Sequence, residues 1–336
     1  DPCRGPGFAA RAVPRPAKVR RRERRAPMTT ESEQHPRPLL LAGPTAAGKS
    51  ELAILLAERL EGEVVSVDSM QVYRGLDIGT AKPSPADQRR VPHHLIDVVG
   101  LDDSFNAACF VRLARQAVAE IQRRGRVPIL CGGTGLYFKA YLEGLGEAPP
   151  ADPALRAELE TVPLPELLRE LAALDPMTYE QIDRCNPRRV IRAIEVIRLT
   201  GKPFSAQRAE WRPPTPSPPP PSLCLGLTRP AADLHSRIAA RVEAMFNRGW
   251  VAETEQLLQR GLAENQTALQ ALGYRQIIEH LRGERSLSET KTLIHLRTRQ
   301  FAKRQMTWFR NQLSLTWIDL GAKEAAAAVA MILKQL

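Results

Sequence analysis

Between residues 38 and 145, short runs of consecutive apolar residues alternate with longer segments in which apolar residues recur every three or four positions. The helical spacing is clear in ELAILLAERL and in residues 105–124. The apolar runs, which indicate buried strands, read PLLLAG, EVVSVDS, HHLIDVV and VPILCGG. Apolar strands that alternate with helices are typical of a parallel sheet covered on both faces. The pattern therefore predicts an α/β fold with a parallel sheet core.

The pattern changes after about residue 145. Residues 152–210 show only short helical segments, and RPPTPSPPPPS is a stiff, extended spacer of the polyproline type. SLCLGLT then returns to an apolar run that could rejoin the sheet, and helices follow from about 231 to 310. We divide the chain into a disordered Arg/Pro-rich leader at 1–37, a core at 38–148, a helical insertion domain at 149–211, a Pro-rich linker at 212–222, a segment at 223–318 that completes the core and adds C-terminal helices, and a C-terminal helix at 319–336.

The net charge of +11 is concentrated at the amino end of the chain. Residues 1–27 hold nine Lys or Arg and two acids, which leaves +4 for residues 28–336. The rest of the chain is only mildly basic, so the total charge is a weak argument for a nucleic-acid partner. The leader lacks the apolar segment of a secretory signal, and we expect it to be solvated and to carry no chemistry.

Five cysteines are scattered along the chain without a CxxC pair, and the six histidines show no metal-ligand spacing. This usage argues against a disulfide framework and against a zinc site, and it favours a reducing cytoplasm. No apolar run approaches the roughly 20 residues needed to cross a bilayer, which excludes a membrane protein. We expect a cytoplasmic protein that has no membrane partner and acts as a monomer.

A phosphate-binding loop is predicted where GPTAAGKS satisfies the pattern G-x-x-x-x-G-K-[ST], between an apolar strand and a helix. Its backbone N–H groups and the helix N-terminus favour phosphate, Lys49 would neutralise the terminal phosphate, and the Ser50 hydroxyl would hold Mg²⁺. The phosphate-binding residues predicted from the motif are Gly43, Pro44, Thr45, Ala46, Ala47, Gly48, Lys49 and Ser50. The fold class is therefore a P-loop NTPase-like core, although the motif is silent on which phosphate compound binds.

Two further strand ends carry candidate chemistry. VPILC runs into Gly-Gly-Thr-Gly at 132–135, without the metal-orienting acid that a nucleotide triphosphatase usually has there. VVSV ends in Asp68, where an ionised carboxylate could face a ligand beyond the carboxyl ends of the strands. The spacing supports equally well a second interpretation, in which Asp68 only caps a turn or a helix.

Seven segments together resemble the tRNA dimethylallyltransferase family, also called tRNA isopentenyltransferases. They occur in order between about residues 38 and 310 and read GPTAAGKS, DSMQVYRGLDIGTAKP, HHLID, GGTGLYFKAYLEGL, NPRRVIRAIEV, LGYRQ and RQFAKRQMTWFR. The second segment is distinctive, since nucleotide kinases carry the phosphate-binding loop without it. The resemblance implies transfer of a dimethylallyl group from dimethylallyl diphosphate to the exocyclic N6 amine of the adenine 3′-adjacent to the anticodon, with release of diphosphate. It implies the tRNA anticodon stem-loop and dimethylallyl diphosphate as partners, with Mg²⁺ as cofactor.

The resemblance also implies roles for individual residues. The loop at 43–50 would hold the diphosphate rather than ATP, Asp68 would be the general base for the amine proton, and Thr134 would lie beside the reacting atoms. Arg241, and by a similar analogy Lys139, would make a second diphosphate contact. The tRNA-contacting positions it implies are Asp68, Ser69, Met70, Gln71, Arg156, Arg188, Arg189, Val190, Ile191, Arg192, Ala271, Leu272, Gly273, Tyr274, Arg275 and Gln276.

The basic segment at 291–310 carries six Lys or Arg and no acid, which favours contact with tRNA phosphates over a merely solvated face. For its aromatic pair, Trp308 and Phe309, we expect packing in the core. Arg192 lies three residues before Glu195, so an intrahelical ion pair is as well supported by spacing as an RNA contact.

An aromatic group follows the glycine turn at 132–135 and consists of Tyr137, Phe138 and Tyr141. These rings could stack on an RNA base, but hydrophobic packing is the commoner fate of such residues.

Two other classes of protein share part of this pattern. A small-molecule or nucleoside kinase would have the same phosphate-binding loop, sheet and helical lid, but it would consume ATP and ignore the prenyl diphosphate. For a non-catalytic RNA-binding module, the substitution Asp68→Ala would leave both activity and tRNA affinity unchanged.

Overall fold

The computed structural model describes residues 35–145, 148–207, 223–321 and 325–336. Most of the leader predicted at 1–37, and the whole Pro-rich linker predicted at 212–222, lie outside the described residues. Among the helices in the described ranges, none is long and apolar enough to cross a membrane.

The core is one six-stranded sheet in which every neighbouring pair of strands is parallel. The strands are β1 (Leu39–Ala42), β2 (Glu63–Val67), β3 (His93–His94), β4 (Pro128–Gly132), β5 (Leu223–Thr228) and β6 (Thr316–Asp319). Their spatial order is β3-β2-β4-β1-β5-β6. The predicted parallel α/β core is confirmed, and the apolar run SLCLGLT does rejoin the sheet, beside β1.

Helices account for most of the remaining described chain. They are α1 (Lys49–Leu60), α2 (Pro85–Arg90), α3 (Ala107–Arg123), α4 (Gly135–Glu143), α5 (Pro153–Thr161), α6 (Leu164–Leu174), α7 (Pro176–Gln181), α8 (Pro187–Thr200), α9 (Phe204–Gln207), α10 (Ala231–Asn247), α11 (Trp250–Gln259), α12 (Tyr274–Leu281), α13 (Leu287–Gln312) and α14 (Ala325–Leu333). The short helices expected in residues 152–210 are present as α5 to α9.

The alternation of side chains along β1 separates two layers of core. Leu39 and Leu41 pack with α1 and α14 on one face of the sheet, whereas Leu40 and Ala42 face the layer that contains α3, α4, α10 and α13. Successive side chains of a strand point to opposite faces, so a central strand covered on both sides must be apolar at every position. A third apolar cluster, formed by α5, α6 and α8, holds the helical insertion together.

Two strands differ from the sequence prediction. HHLIDVV forms only the two-residue strand β3, because Leu95 and Asp97 adopt positive φ angles of 62° and 56° that interrupt the extended backbone. The sequence pattern does not predict the edge strand β6, because its residues Thr-Trp-Ile-Asp form no continuous apolar run and only one of them is buried. Residue 319, predicted as the start of the C-terminal helix, belongs to this strand.

Candidate active site

The phosphate-binding loop lies between the end of β1 and the start of α1, at the carboxyl edge of the sheet. Gly48 immediately precedes α1 with a φ of 97°, a left-handed conformation that favours glycine. Ala46 also has a positive φ, of 63°. These turns are the kind that direct successive backbone N–H groups towards one point, which is the arrangement that phosphate requires.

Four cationic side chains contact this loop. Lys49 Nζ donates to the Pro44 carbonyl oxygen at 2.7 Å. From the neighbouring strand and helix, guanidinium groups donate to the loop: Arg229 to the Ala47 carbonyl at 2.9 Å, Arg237 to the Ala46 carbonyl at 3.1 Å, and Arg241 to the Thr45 hydroxyl at 3.5 Å. The loop is therefore enclosed by positive charge on the side of α10.

Sequence reasoning predicted only Arg241 among these three arginines. Arg237 and Arg241 are four residues apart on α10 and so share one face of that helix. Arg229 directly follows β5, the strand next to β1. The four-residue spacing of Arg237 and Arg241 is visible in the sequence. It points to the phosphate-binding loop only once β5, the strand before α10, is known to pair with β1. Lys139 donates to Gln312 on α13 at 2.8 Å and lies 3.9 Å from the Glu143 carboxylate.

The pKa of the Lys49 ammonium is expected to respond to a phosphate bound in this loop. Burial, with a smaller contribution from the nearby Arg241 guanidinium, lowers the pKa of Lys49 to about 8, while Cys131 and the charge of Asp68 act in the opposite direction. Burial also lowers the pKa of Arg241, again opposed by Asp68. An anionic ligand in the loop would reverse both effects, because opposite charge favours the charged form.

Asp68 directly follows β2 and closes a tight turn. Its Oδ1 atom accepts hydrogen bonds from the backbone N–H groups of Met70 at 2.8 Å and Gln71 at 3.2 Å. The turn-capping interpretation is therefore correct for this oxygen. Within the described residues, Oδ2 accepts no hydrogen bond, and the carboxylate acts electrostatically on both Lys49 and Arg241. One oxygen fixes the side chain while the other is available for chemistry.

Thr134 joins the two strand ends that carry the predicted catalytic residues. Its hydroxyl accepts from the Ser69 backbone N–H at 3.1 Å, and its own backbone N–H donates to the Val67 carbonyl at 3.2 Å. Because β2 and β4 are neighbours in the sheet, the turn after each lies at the same edge. The structure thus brings Thr134 and the Asp68 turn together, beside the phosphate-binding loop at the end of β1.

The residues after Asp68 form a braced loop. The Gln71 side-chain amide donates to the carbonyls of Thr80 and Ala81 and accepts a hydrogen bond from the Ser66 hydroxyl. The buried Lys82 ammonium donates to Asp77 at 2.5 Å and to Asp97 at 2.6 Å. Charge-assisted hydrogen bonds of this kind hold the DSMQVYRGLDIGTAKP block in one conformation.

Glu253 on α11 connects this block to the predicted tRNA-binding segment at 271–276. Its carboxylate accepts from the Ile78 backbone N–H at 2.7 Å, from the flanking amides of Asp77 and Gly79, and from the Tyr274 hydroxyl at 2.7 Å. Burial, and then the adjacent carboxylate, raise the pKa of Tyr274. The Tyr274 side chain therefore packs in the core and donates its hydroxyl hydrogen bond to Glu253.

In the rest of the segment at 271–276, Ala271 and Gly273 are buried and Leu272 is half-buried. The Gln276 side chain accepts from the Gly273 backbone N–H at 3.0 Å. Arg275, with a side chain 75% exposed, is the residue most open to a ligand.

The arginines predicted in the insertion are held by a buried acid. Glu195, with no exposed surface, accepts from Arg156 at 2.9 Å and from Arg192 at 2.6 Å. Burial alone would raise the pKa of Glu195, but the hydrogen bonds from both arginines outweigh it and lower the pKa. The proposed ion pair is present, and the Arg156 side chain is still 40% exposed.

The stretch at 188–192 splits by face. Val190 and Ile191 pack in the core of the insertion, while Arg188 and Arg189 are exposed. Arg188 donates to the Gln266 carbonyl at 3.1 Å, beside the segment at 271–276. RNA contact by this stretch would fall to its arginine side chains.

The aromatic residues after the glycine turn pack in the core. Tyr137 stacks on Phe110 with ring centroids 4.5 Å apart, and Phe138 meets Phe309 of α13 edge-on. Tyr141 is 2% exposed, which excludes base stacking by its ring in this conformation. Packing is also the outcome for Phe309, as predicted.

The chain is similar to known proteins along most of its length. A family model described as IPP transferase matches residues 71–312. A curated tRNA dimethylallyltransferase 2 of Geotalea uraniireducens is 44% identical over 292 residues, covering 84% of this chain and 91% of that protein. A tRNA dimethylallyltransferase 1 of Trichlorobacter lovleyi is 47% identical over 289 residues, covering 84% and 93%.

Solved structures show the same likeness. The full-length tRNA isopentenylpyrophosphate transferase of Bacillus halodurans has a TM-score of 0.65 at 38% identity, covering 89% of this chain and 96% of that one. A eukaryotic dimethylallyltransferase, described as acting on tRNA, has a TM-score of 0.70 at 25% identity, covering 88% and 78%. With a family model matched over most of its length and relatives of this identity, the chain belongs to the IPP transferase family, which includes the tRNA dimethylallyltransferases.

Proposed function

We propose that this chain transfers the dimethylallyl group of dimethylallyl diphosphate to the exocyclic N6 amine of the adenine 3′-adjacent to the tRNA anticodon. The observation that carries the proposal is the position of Asp68 and Thr134 next to a loop contacted by four cations, in a chain of this family. The curated relatives are named tRNA dimethylallyltransferases, which disfavours the kinase hypothesis.

The proposed reaction is a displacement at the prenyl C1 atom. The bond from C1 to the diphosphate oxygen breaks with its electron pair, and a bond from C1 to N6 of adenine forms. The adenine amine is a poor nucleophile because its lone pair is delocalised into the ring. Asp68 receives the amine proton as the new bond forms, and the free Oδ2 atom is the oxygen placed to accept it.

The departing diphosphate is stabilised where its charge develops. Lys49, the guanidinium groups of Arg237 and Arg241, and the loop amides are fixed before the reaction begins, so they need no reorganisation when the bond breaks. A cluster of positive charge of this kind favours an anionic ligand. Next to Thr134, the stacked rings of Tyr137 and Phe110 pack in the core and support the glycine turn at 132–135.

Mg²⁺ is compatible with these residues. Ser50 is exposed in the first turn of α1, where its hydroxyl can serve as a ligand. The described residues contain no group of three His, Cys, Asp or Glu that could hold a metal alone. Mg²⁺ commonly relies on substrate phosphates and water for most of its ligands. When bound, it would neutralise charge on the diphosphate.

The proposal is tested with labelled dimethylallyl diphosphate and an anticodon stem-loop. We expect label in the RNA and release of diphosphate that depends on the RNA. Hydrolysis or transfer of the γ-phosphate of ATP without RNA would support the kinase instead. Sedimentation of the same preparation tests the monomer, and fractionation of cells tests the cytoplasmic location, both of which stay predictions.

Donor affinity is expected to depend on pH through Lys49. The pKa of Lys49 is about 8 in the free protein, and a bound diphosphate raises it. The affinity for the donor is therefore highest below pH 8 and falls above it. The limiting slope is about tenfold per pH unit for a single proton. Titration calorimetry with a non-hydrolysable donor analogue between pH 6.5 and 9.5 measures this, and Lys49→Arg should flatten the slope. A constant affinity in the wild-type protein would contradict it.

The basic face of α13 is expected to contact tRNA phosphates. Lys303 is exposed on this helix, and Lys303→Ala should weaken tRNA binding and reduce the slope of log affinity against log salt by about 0.7–0.9. Lys334 is exposed just after α14, a helix that packs on the opposite face of the sheet, and it supplies the matched control Lys334→Ala. An unaltered salt slope in Lys303→Ala would show that this residue does not track phosphate.

A further inference from the structure

One buried amide on α13 spans the two loops of the candidate site. The Gln305 side chain, 8% exposed, accepts from the Thr45 backbone N–H at 2.8 Å and donates to the Gly133 carbonyl at 2.9 Å. Its partners lie 260 and 172 residues away along the chain. Thr45 belongs to the phosphate-binding loop, and Gly133 immediately precedes Thr134.

The chemistry of the two partners fixes how this amide is oriented. A backbone N–H can only donate and a carbonyl oxygen can only accept, so Oε1 must face Thr45 and Nε2 must face Gly133. A carboxylate in this place could serve only the first partner, and a hydrocarbon could serve neither. A glutamine therefore satisfies both partners, whereas a glutamate or an apolar side chain of similar size does not.

The glycine turn is shaped to receive α13. A Cβ atom at Gly133 would lie 2.4 Å from Gln305 Nε2, and one at Gly135 would lie 2.1 Å from the Trp308 ring. A side chain at Gly133 would displace the Gln305 amide from its hydrogen bonds, and one at Gly135 would collide with the Trp308 ring. Gln305 and Trp308 are three residues apart on the same face of α13, so one helix surface fits the whole turn.

These contacts form a continuous connection across the site. It runs from Thr45 through Gln305 to Gly133, along the chain to Thr134, and from the Thr134 hydroxyl to the Ser69 amide next to Asp68. One end carries the group that would hold the leaving diphosphate, and the other carries the base. The distance between those ends decides whether the amine reaches C1 in line with the departing oxygen.

We propose that Gln305 is a positioning residue, which sets the spacing between the phosphate-binding loop and the Asp68–Thr134 pair. The proposal rests on the prenyl transfer proposed above and adds to it a residue that acts through both loops. Displacement of reacting groups by about 1 Å can cost a rate factor of about 10². Loss of the tie should therefore slow the chemical step and leave tRNA binding nearly unchanged.

Two substitutions separate the functions of this amide. Gln305→Met keeps the length of the side chain and removes both hydrogen bonds. Gln305→Glu keeps an acceptor for Thr45, loses the donor to Gly133, and adds a negative charge beside the phosphate-binding loop. Gln300→Met is the matched control, since Gln300 is an exposed glutamine of the same helix. Ile294→Val, in the buried part of α13, reports the effect of a modest loss of stability.

The measurement is the single-turnover rate at saturating donor and RNA, together with the KM for dimethylallyl diphosphate, well below the Tm of each variant. We expect Gln305→Met to lower the rate at least tenfold with tRNA affinity within twofold. Gln305→Glu should lower the rate to a similar extent, because it also loses the donor to Gly133, and its negative charge should in addition raise the donor KM at least fivefold. Gln300→Met and Ile294→Val should stay within twofold of the wild-type rate.

The outcomes distinguish this inference from the function on which it rests. A wild-type protein that transfers no label would defeat the proposed function itself. An active wild-type protein with Gln305→Met at the same rate would overturn only the positioning role. Equal loss in Ile294→Val would overturn it as well, because stability would then explain the effect. If Gln305→Met does not fold, the single-turnover rate of Gln305→Glu at saturating donor decides the question.

Discussion

Asp68→Asn is expected to lower the rate of prenyl transfer by about 10²–10⁴-fold, the range that general base catalysis typically contributes. The asparagine side chain keeps an oxygen that can accept from the Met70 and Gln71 amides, so the turn after β2 should survive. What it loses is the ability to take the amine proton. The measurement is single-turnover transfer of labelled prenyl group to an anticodon stem-loop.

The control for this change is Asp102→Asn, at an exposed position in the segment between β3 and α3. It should transfer at the wild-type rate. Binding of the stem-loop by Asp68→Asn should stay within a few-fold, since the turn that presents residues 69–71 is intact. A rate within threefold of wild type would remove Asp68 from the chemistry and leave it only as the cap of a turn.

Lys49→Met is expected to lower kcat/KM for the donor by about 10²–10³-fold, the cost of removing one preorganised charge-stabilising group. The methionine fills similar space but cannot neutralise a diphosphate. Because Arg237 and Arg241 remain in contact with the loop, donor binding should be reduced rather than abolished. The loss should appear in kcat as well as in KM, since charge on the leaving group grows as the bond breaks.

Arg59→Met provides the comparison, because Arg59 is exposed in the last turn of the same helix, far from the loop. Its kinetic constants should equal those of the wild type. If Lys49→Met raised KM alone and left kcat untouched, Lys49 would bind the substrate and transition state equally, and its assignment to the leaving group would fail.

Local features of this fold were predictable from sequence. The phosphate-binding loop is contiguous, its glycine requirements are local, and the strand before it is apolar at every position, so the motif predicts both its place and its geometry. The same holds for the strand end at Asp68 and the turn at 132–135. Parallel topology followed from the apolar strands, because only a sheet covered on both faces buries such runs.

Features created by contacts between distant segments were not predictable. Gln305 meets partners in two loops at once, and nothing in RQFAKRQMTWFR distinguishes it from a glutamine facing solvent. Arg229 and Arg237 reach the phosphate-binding loop only because β5 pairs with β1. The edge strand β6 is likewise specified by its neighbour rather than by its own pattern.

Spacing alone left the two interpretations of Arg192 and Asp68 open, and the structure shows why. Glu195 binds Arg192 within one helix, as spacing suggested, but it also binds Arg156 from a helix 39 residues earlier. For Asp68, the cap and the proposed catalytic role use different oxygens of one carboxylate. A one-dimensional pattern cannot separate functions that divide between two atoms.

The most direct test of the account is a crystal structure with a non-reactive donor analogue and an anticodon stem-loop bound together. We expect the diphosphate in the loop at 43–50, in contact with Lys49, and the N6 amine of an everted adenine within about 2.6–3.2 Å of Asp68. A diphosphate bound elsewhere, or an adenine amine facing away from Asp68 with its carboxylate turned from the loop, would contradict it.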